Sequence, residues 1–389
     1  MKKVLFVVYS LGIGGVEKSL LNLLSVLPDS ITVSILVMEK KGEYLKDLPC
    51  NVEVYESSFY KEIKWMIKET PFQVLKKLLI KRKFLFALCF LYFSFYRKLT
   101  QNSIPLYEFL FKKDIPVTQS YDMAIAYAGP STLIDYFTVK KISAKKKIGW
   151  IHFDISKFGI DKMATHLLYS SYDRIFCVSE TAKKIFDSCF LQFQYKTEVF
   201  YNLISRNQIL DLAFRGESFI DSFDGKRILT VGRISSEKGQ DNAIKALKIL
   251  IEKGYNVKWY FVGDGAFRNT CENLVREYKL EDFVVFLGTK NNPYPYMRDC
   301  DIYVQPSRYE ACCVTITEVK IFKKNIVATD ATGNREQLKD MPNSRIVGFT
   351  EQDLANGIIS LFDYPVPVSD CFECECKNDL NKLLSLLES

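Results

Sequence analysis

Two glutamates in the last quarter of the chain have a spacing that suits the binding of a ligand rich in hydroxyl groups. Glu310 and Glu318 lie eight residues apart, just over two helical turns, and the pattern predicts a helix that begins near Cys313. One carboxylate then lies at the start of the helix and the other lies inward along a similar face. Such a pair can accept hydrogen bonds from sugar and ribose hydroxyls, although paired glutamates on a helix are commonly just solvated. The free N–H groups at the start of this helix would face an anion, and they belong to Cys313, Val314 and Thr315.

Cations and a histidine elsewhere in the chain suit the handling of phosphate and sugar. Arg233 and Lys238 lie five residues apart in a loop bounded by glycines. Both can reach a diphosphate, because arginine offers a planar fork of donors and lysine a point charge. Taken alone, such a loop would favour a solvated turn with two cations. His152 ends a predicted strand, and it is either a group that faces a ligand or a core histidine.

A glycine-rich turn follows the first predicted strand, Lys3–Ser10. Gly14 and Gly15 stand where this strand gives way to a helix, so that backbone N–H groups can approach a phosphate or a sugar at the helix N-terminus. A dinucleotide-binding turn would need a third glycine where Glu17 stands, although Glu39 after the second strand would suit a ribose. That alternative and a plain strand-to-helix turn both stay open.

The elements that must position these residues alternate in a regular way. Short β-branched runs alternate with helical patterns, which is typical of parallel α/β architecture. The chain of 389 residues is too long for one ordinary core, and the stretch 203–226 lacks a clear strand. In parallel sheets ligands lie beyond the carboxyl ends of the strands. We therefore predict two doubly wound domains at 1–204 and 205–365, followed by a tail with a terminal helix at 366–389.

The net charge of +7 is concentrated in one segment. Residues 61–113 contain ten Lys and two Arg against three Glu, a balance of +9, so the rest of the chain sums to −2. Aromatic side chains are interleaved with these cations, as in helices that lie on an anionic bilayer. No nucleic-acid-binding motif surrounds the segment, and we expect no nucleic acid partner. We predict that 61–113 binds an anionic membrane surface. A covering helix pair with core aromatics and solvated lysines is the alternative.

The cysteines and apolar runs bear on location and metal binding. The chain has 11 cysteines and begins with a predicted strand instead of a signal peptide, which indicates free thiols in a reducing compartment. The longest apolar run, Phe84–Tyr96, has 13 residues, short of the roughly 20 that span a bilayer. Cys371, Cys374 and Cys376 lack a nearby fourth ligand, so we predict no metal site. We expect a cytoplasmic protein.

Several of these motifs occur in an order that resembles glycosyltransferase family 4, the retaining GT-B enzymes. The resemblance runs from about Met1 to Leu338, and 292–310 is similar in particular to bacterial capsule and surface-polysaccharide members. Each motif is weak alone, and the ordered set is specific. The motifs are Gly14-Gly15-x-Glu17, Trp150-Ile151-His152-x-Asp154, Val178-Ser179-Glu180, Gly232-Arg233-x4-Lys238-Gly239, Val262-Gly263-Asp264-Gly265 and Glu310-x7-Glu318.

The resemblance implies a fold, a reaction and a set of roles. The fold is α/β of the GT-B type, with two Rossmann-like domains facing across a cleft, the first for the acceptor and the second for the nucleotide sugar. The reaction transfers a sugar from a nucleotide diphosphate with retention at the anomeric carbon and without a metal or other cofactor, because cations and a helix N-terminus can replace one. The catalytic residues implied are Glu310, which binds the donor sugar, and His152, which faces the transferred sugar. The substrate-binding residues are Arg233 and Lys238 for the diphosphate, Glu318 for the ribose, Gly14 and Gly15 beside the phosphate, and Asp264, Cys313, Val314 and Thr315 in the donor motifs.

We therefore predict a retaining glycosyltransferase of bacterial surface-polysaccharide synthesis, peripheral on the inner face of the plasma membrane. Its donor would be a UDP-sugar and its acceptor a lipid-linked glycan or oligosaccharide. The stretch Ala311-Cys312-Cys313 departs from the family, which usually has Gly after the first glutamate. If this loop needs a positive φ, alanine would strain it and weaken donor binding. The alternative function is thus a catalytically weak GT-B partner subunit of another membrane-associated glycosyltransferase.

Overall fold

The chain forms two compact units in a computed structural model that describes residues 1–114, 117–157, 159–364 and 376–388. The first unit comprises 1–201 together with 377–389, and the second comprises 202–376. The first unit therefore ends three residues before the predicted boundary at 204, and the C-terminal helix joins it. The side chains of Cys371, Cys374 and Cys376 lie outside the described part of the chain.

A parallel sheet forms the centre of the first unit. Its strands are β1 (Lys2–Val8), β2 (Ile31–Val37), β3 (Glu53–Glu56), β4 (Tyr121–Gly129), β5 (Ala144–Ile151), β6 (Arg174–Cys177) and β7 (Thr197–Val199). In the described residues these seven strands lie in the order β3-β2-β1-β4-β5-β6-β7, and each pair is parallel. The central strands are almost continuously apolar because helices cover both faces of a parallel sheet.

Helices follow most strands of the first unit. The connection between β3 and β4, where the basic segment lies, forms four helices in place of one crossover helix. None of the described helices is long and apolar enough to cross a membrane. The helices are α1 (Gly15–Leu24), α2 (Tyr60–Lys68), α3 (Pro71–Ile80), α4 (Phe84–Thr100), α5 (Ile104–Leu110), α6 (Thr132–Tyr136), α7 (Lys162–Tyr169) and α8 (Glu180–Cys189).

The second unit has the same architecture around its own sheet. Its strands are β8 (Lys226–Val231), β9 (Val257–Val262), β10 (Val284–Gly288), β11 (Ile302–Gln305), β12 (Asn325–Thr329) and β13 (Ser344–Val347). These six described strands lie in the order β10-β9-β8-β11-β12-β13, all parallel. The strand order reverses between β8 and β11, and ligands of doubly wound sheets bind at such a reversal.

Helices cover both faces of the second sheet. Adjacent residues of β8 pack on opposite faces, since Ile228 belongs to one buried apolar cluster and Leu229 to the other. The α/β prediction is therefore confirmed for both units. The helices are α9 (Arg206–Arg215), α10 (Gln240–Glu252), α11 (Arg268–Glu277), α12 (Tyr294–Asp299), α13 (Val314–Lys320), α14 (Thr332–Leu338) and α15 (Glu351–Asp363).

The C-terminal helix α16 (Cys376–Glu388) packs in the first unit beside the end of its sheet. The buried carboxylate of Asp379 accepts a hydrogen bond from the backbone N–H of Tyr201 at 3.1 Å. Lys382 donates to the carbonyl of Val199 at 2.8 Å, and Lys146 donates to the carbonyl of Leu386 at 2.7 Å. The last helix is thus held to β7 and β5 by specific polar contacts, which its sequence position alone did not indicate.

Candidate functional site

A partly buried ion pair lies at the carboxyl ends of β8 and β11. Lys238 donates to Oε1 of Glu310 at 2.5 Å, and the two side chains are 23% and 9% exposed. Ser307 donates to the same oxygen at 2.8 Å and Gln305 donates to it at 3.3 Å. Burial lowers the pKa of Lys238, but the attraction of Glu310 outweighs burial and raises the pKa above its ordinary value. Lys238 is therefore a cation at neutral pH.

The loop after β8 is held against the loop after β11. Gly239 adopts the left-handed conformation at φ 71°, and a Cβ there would lie 2.1 Å from the carbonyl oxygen of Pro306. Arg308 spans the two loops, because its guanidinium donates to both carboxylate oxygens of Asp241 at 2.9 and 2.7 Å. A bidentate pair of this kind fixes the register of the loops and brings Lys238 to Glu310. Sequence analysis missed Arg308 and Asp241, since no spacing rule links residues so far apart.

An oriented hydrogen-bond chain leads from the core to Glu310. The buried hydroxyl of Tyr303 donates to Oε1 of Gln305 at 2.6 Å, and Thr315 donates to the same oxygen at 3.2 Å. These donors fix the amide so that its Nε2 points to Ser307, at 2.8 Å, and to Glu310. Gln305 was not among the predicted site residues. Its signal in the sequence is a polar side chain that ends an otherwise apolar strand.

The start of α13 differs in part from the prediction. The N–H of Cys313 donates to Oε1 of Gln337 at 2.8 Å, and Nε2 of Gln337 donates back to the Cys313 carbonyl at 3.0 Å. The prediction that this N–H faces an anion is therefore wrong here, because an amide from α14 occupies it. Val314 is buried, and the Thr315 hydroxyl lies 3.1 Å from the Cys313 sulfur. Thr315 is linked to the Lys238–Glu310 pair through the amide of Gln305.

The departure at Ala311 causes no backbone strain. The described non-glycine residues with positive φ are Arg82, Gln101, Lys279 and Lys323, and Ala311 is not among them. The residue that packs closely against this stretch is a glycine of α14. Gly333 donates its N–H to the Glu310 carbonyl at 2.9 Å, and a Cβ at Gly333 would lie 2.4 Å from the Ala311 carbonyl oxygen. The glycine that this region needs therefore stands on α14.

Glu318 lies in the interior, along α13. It is 3% exposed, and its Oε1 accepts a hydrogen bond from the buried hydroxyl of Tyr294 at 2.8 Å. A carboxylate in so apolar a setting needs such donors, because burying an unpaired charge is costly. Tyr294 is the first residue of α12 and was also missed by sequence analysis. The tyrosine orients the carboxylate in the same unit as Glu310.

Arg233 and Asp264 occupy exposed parts of the same unit. The side chain of Arg233 is 68% exposed and pairs with Glu237 at 3.2 Å. Asp264 accepts the N–H of Gly265 at 2.7 Å and pairs with Arg268 at 3.2 Å. Such exposed pairs contribute little to stability. Arg233 can therefore exchange Glu237 for another anion at small cost, whereas Asp264 stabilises its own loop.

The glycine turn of the first unit begins α1 as predicted from the sequence. Gly15 is the first residue of α1, and a Cβ at this position would meet nothing within 4 Å. A Cβ at Gly14 would lie 2.3 Å from a carboxylate oxygen of Glu17, and this flexible side chain could move aside, so the requirement for glycine is weak there. Glu39, the ribose ligand of the dinucleotide alternative, forms ion pairs with Lys41 and Lys64. These hydrogen bonds lower its pKa to about 2.

His152 follows β5 inside an aromatic cluster. Its ring lies 4.6 Å from the ring of Tyr127 and is stacked 6.1 Å from that of Trp150. Its Nε2 atom is buried and has no hydrogen-bond partner within the described residues. Burial lowers the pKa of the imidazole to about 3, so the ring is neutral at physiological pH. A neutral ring can accept or donate a hydrogen bond but does not act as a standing cation.

We expect His152 to make the protein less stable in mild acid. A histidine whose pKa drops from 6.5 to about 3 on folding contributes stability above pH 6.5 that is lost as the pH falls toward 3. A His152→Phe variant should therefore lose less unfolding free energy between pH 7 and pH 4 than the parent, as measured by denaturant titration. His166→Gln is the matched control, because His166 is the other histidine of the chain. Equal slopes in the parent and in His152→Phe would contradict the burial of a neutral ring.

Comparisons with known proteins give matches to glycosyltransferases. Residues 219–370 match the model of the family described as glycosyl transferases group 1. An uncharacterized glycosyltransferase of Methanocaldococcus jannaschii is 28% identical over 59% of this chain and 58% of its own length. A Campylobacter jejuni protein is 27% identical over 87% of this chain and 84% of its own length. It is named N-acetylgalactosamine-N,N'-diacetylbacillosaminyl-diphospho-undecaprenol 4-alpha-N-acetylgalactosaminyltransferase.

A solved structure extends the comparison to the whole fold. A variant of TarM from S. aureus, in complex with UDP, alpha-GlcNAc-glycerol and fondaparinux, superimposes with a TM-score of 0.70 at 15% identity. The match covers 100% of both chains. At this level of identity the likeness shows the fold alone, and the predicted GT-B fold class is confirmed.

Proposed function

We propose that this chain, whose residues 219–370 match the model of the glycosyl transferases group 1, is a retaining glycosyltransferase that uses a UDP-sugar. The partly buried Lys238–Glu310 pair carries the proposal. It lies where the strand order of the second sheet reverses, which is the place for a nucleotide ligand in such a fold. The UDP in the TarM structure supports the choice of base.

The donor would be held by charges of both signs. The ammonium of Lys238 and the exposed guanidinium of Arg233 would neutralise the diphosphate and stabilise the charge that develops as it leaves. Lys238, Ser307 and Gln305 all reach Oε1 of Glu310, so Oε2 would accept hydrogen bonds from the donor sugar. Glu318, oriented by Tyr294, would accept hydrogen bonds from the ribose hydroxyls.

The transfer breaks one bond and forms another at the same carbon. The bond between the anomeric carbon and the diphosphate oxygen breaks, and the electron pair leaves with the diphosphate. The acceptor hydroxyl oxygen bonds to that carbon on the same face, and its proton passes to the departing diphosphate. The buried Nε2 of neutral His152, which has no hydrogen-bond partner among the described residues, would be available to a sugar hydroxyl.

A lipid-linked glycan is the acceptor that the relatives favour. The name of the Campylobacter relative specifies a diphospho-undecaprenol substrate, and the match to that protein covers 87% of this chain. We therefore assign the chain to bacterial surface-polysaccharide synthesis, peripheral on the inner face of the plasma membrane. The partner-subunit alternative loses its main support, because Ala311 does not need a positive φ.

Donor binding can be tested by thermal unfolding with a panel of nucleotides. UDP and one or more UDP-sugars should raise Tm, because a ligand at 100 times its Kd stabilises the native state by about 2.7 kcal/mol. Arg233→Ala should remove most of this shift, while Glu252→Gln should keep it, because Glu252 pairs with Lys248 at the far end of α10. The same panel is then assayed for hydrolysis of the UDP-sugar. A protein that shows no shift with any nucleotide diphosphate would contradict the proposal and favour a non-catalytic partner.

A further inference from the structure

The outer side of α4 is an apolar surface without a partner. Six large side chains on it are 59% to 76% exposed. Large apolar groups cluster in this way on soluble proteins mainly where something covers them. We name this surface the α4 outer face, and its residues are Phe84, Leu85, Leu88, Tyr92, Phe95 and Leu99.

The helical spacing separates this face from the face that packs on the protein. The six residues recur at intervals of one, three and four and cover roughly a third of the helix circumference. Phe90 lies on the opposite side and is 1% exposed. Phe86 and Phe93 pack against α5, where their rings lie 4.6 and 5.3 Å from the ring of Phe109. One side of α4 therefore packs within the first unit, and the other side is exposed to solvent.

The adjoining helix and turn also carry exposed apolar and basic side chains. On α3, Phe72 is 75% exposed and Ile80 is 73% exposed. Arg82 adopts the left-handed conformation at φ 55°, which reverses the chain between α3 and α4. The turn brings Lys81, Arg82 and Lys83, all exposed, to one end of the α4 outer face. Cations thus border the apolar surface directly.

The helices α3 and α4 form a hairpin, and its charge indicates what binds the α4 outer face. Residues 70–107 contain five Lys and two Arg and no Asp or Glu. A second copy of the chain on this face would bring like charges together, which is unfavourable. An anionic bilayer offers negative headgroups to the cations and an apolar interior to the aromatic and leucine side chains. Because no described helix can cross a membrane, α4 would lie along the surface.

We propose that the α4 outer face inserts into the headgroup boundary of an anionic bilayer, with Lys81, Arg82 and Lys83 at the phosphates. This deepens the proposed function, on which it rests for the choice of the inner leaflet. Insertion of apolar side chains separates this mode from purely electrostatic adsorption, because salt screens the charges but leaves the apolar contribution intact.

The test is sedimentation of the full-length protein with vesicles of phosphatidylcholine that contain phosphatidylglycerol, at low and high salt. Leu85→Glu/Leu88→Glu should lower the partition coefficient about tenfold or more at both salt concentrations, because it removes buried apolar area and adds charge. Lys81→Glu/Arg82→Glu/Lys83→Glu should lower it mainly at low salt. Leu191→Glu/Tyr195→Glu is the matched control, because these residues are 71% and 81% exposed but lie outside the hairpin.

UDP-sugar hydrolysis, measured on the same samples, separates this proposal from the proposed function. Loss of vesicle binding in the α4 variant with unchanged hydrolysis supports insertion. Parent protein that hydrolyses the donor but does not sediment with the vesicles overturns it. A parent that is dimeric by light scattering, and becomes monomeric in Leu85→Glu/Leu88→Glu without any vesicle binding, overturns it as well and assigns the face to a second copy.

Discussion

Glu310→Gln is expected to reduce sugar transfer about 10²- to 10³-fold, the usual cost of removing one electrostatic contact to a transition state. The amide keeps the shape of the side chain and can still accept from Lys238 and Ser307. The free energy of unfolding should nevertheless fall, because Lys238 loses its counter-charge, but the hydrogen bonds that the amide oxygen keeps should limit the loss. The variant loses the negative charge that would bind the donor sugar and balance Lys238. Initial rates of transfer and of UDP-sugar hydrolysis, together with denaturant unfolding, measure both effects.

Glu252→Gln provides the control for this prediction. Glu252 pairs with Lys248 at the surface of the same unit, so the same change from carboxylate to amide is made away from the Lys238–Glu310 pair. Its rates should match those of the parent. Unchanged turnover in Glu310→Gln would contradict the role of Glu310 in the site and the mechanism proposed for it.

Lys238→Met is expected to destabilise the second unit by about 3 kcal/mol and to abolish transfer. Removing one partner of a buried pair leaves the other charge uncompensated. Glu310, whose side chain is 9% exposed, would lose the donor closest to its Oε1. Urea unfolding monitored by circular dichroism measures the loss of stability, and the rate assay measures the loss of transfer.

The double variant Lys238→Met/Glu310→Gln separates the structural role of the pair from its role in the reaction. With both charges removed, no buried carboxylate remains unpaired, so most of the lost stability should return. Transfer should stay absent, because neither the cation for the diphosphate nor the carboxylate for the sugar is present. Recovery of activity in the double variant would contradict the assigned roles, and equal instability in the single and double variants would contradict the burial of the pair.

The basic segment shows how far charge patterning reaches. Counting side chains in 61–113 located the surface and its sign, because charge is a property of composition. The count did not distinguish Phe84 and Leu88, which are exposed, from Phe90 and Phe93, which pack against the protein. That division depends on which side of α4 meets α5, a tertiary contact. The phase of a helix whose two faces are both apolar is not readable from hydrophobicity alone.

Sequence analysis identified some residues of the proposed donor site and missed others. Glu310, Lys238 and Arg233 were identified from residue type, local spacing and the resemblance, because the strand-loop-helix units that carry them are local in sequence. Arg308 and Asp241, which bring the loops together, were not identified. Nor was the engagement of the Cys313 N–H by Gln337 on the following α/β unit. Contacts between loops that follow different strands depend on the order of the strands in the sheet. The spacing of residues in the sequence does not give that order.

The sequence by itself determined the α/β class, the residues with chemical potential and the place of the positive charge. Each of these follows from local periodicity and composition. Only the tertiary structure decided that Lys238 meets Glu310, that Gly333 makes room for Ala311, and that α16 returns to the first unit. These outcomes depend on close packing between segments distant in the chain, where one ångström separates a hydrogen bond from a collision.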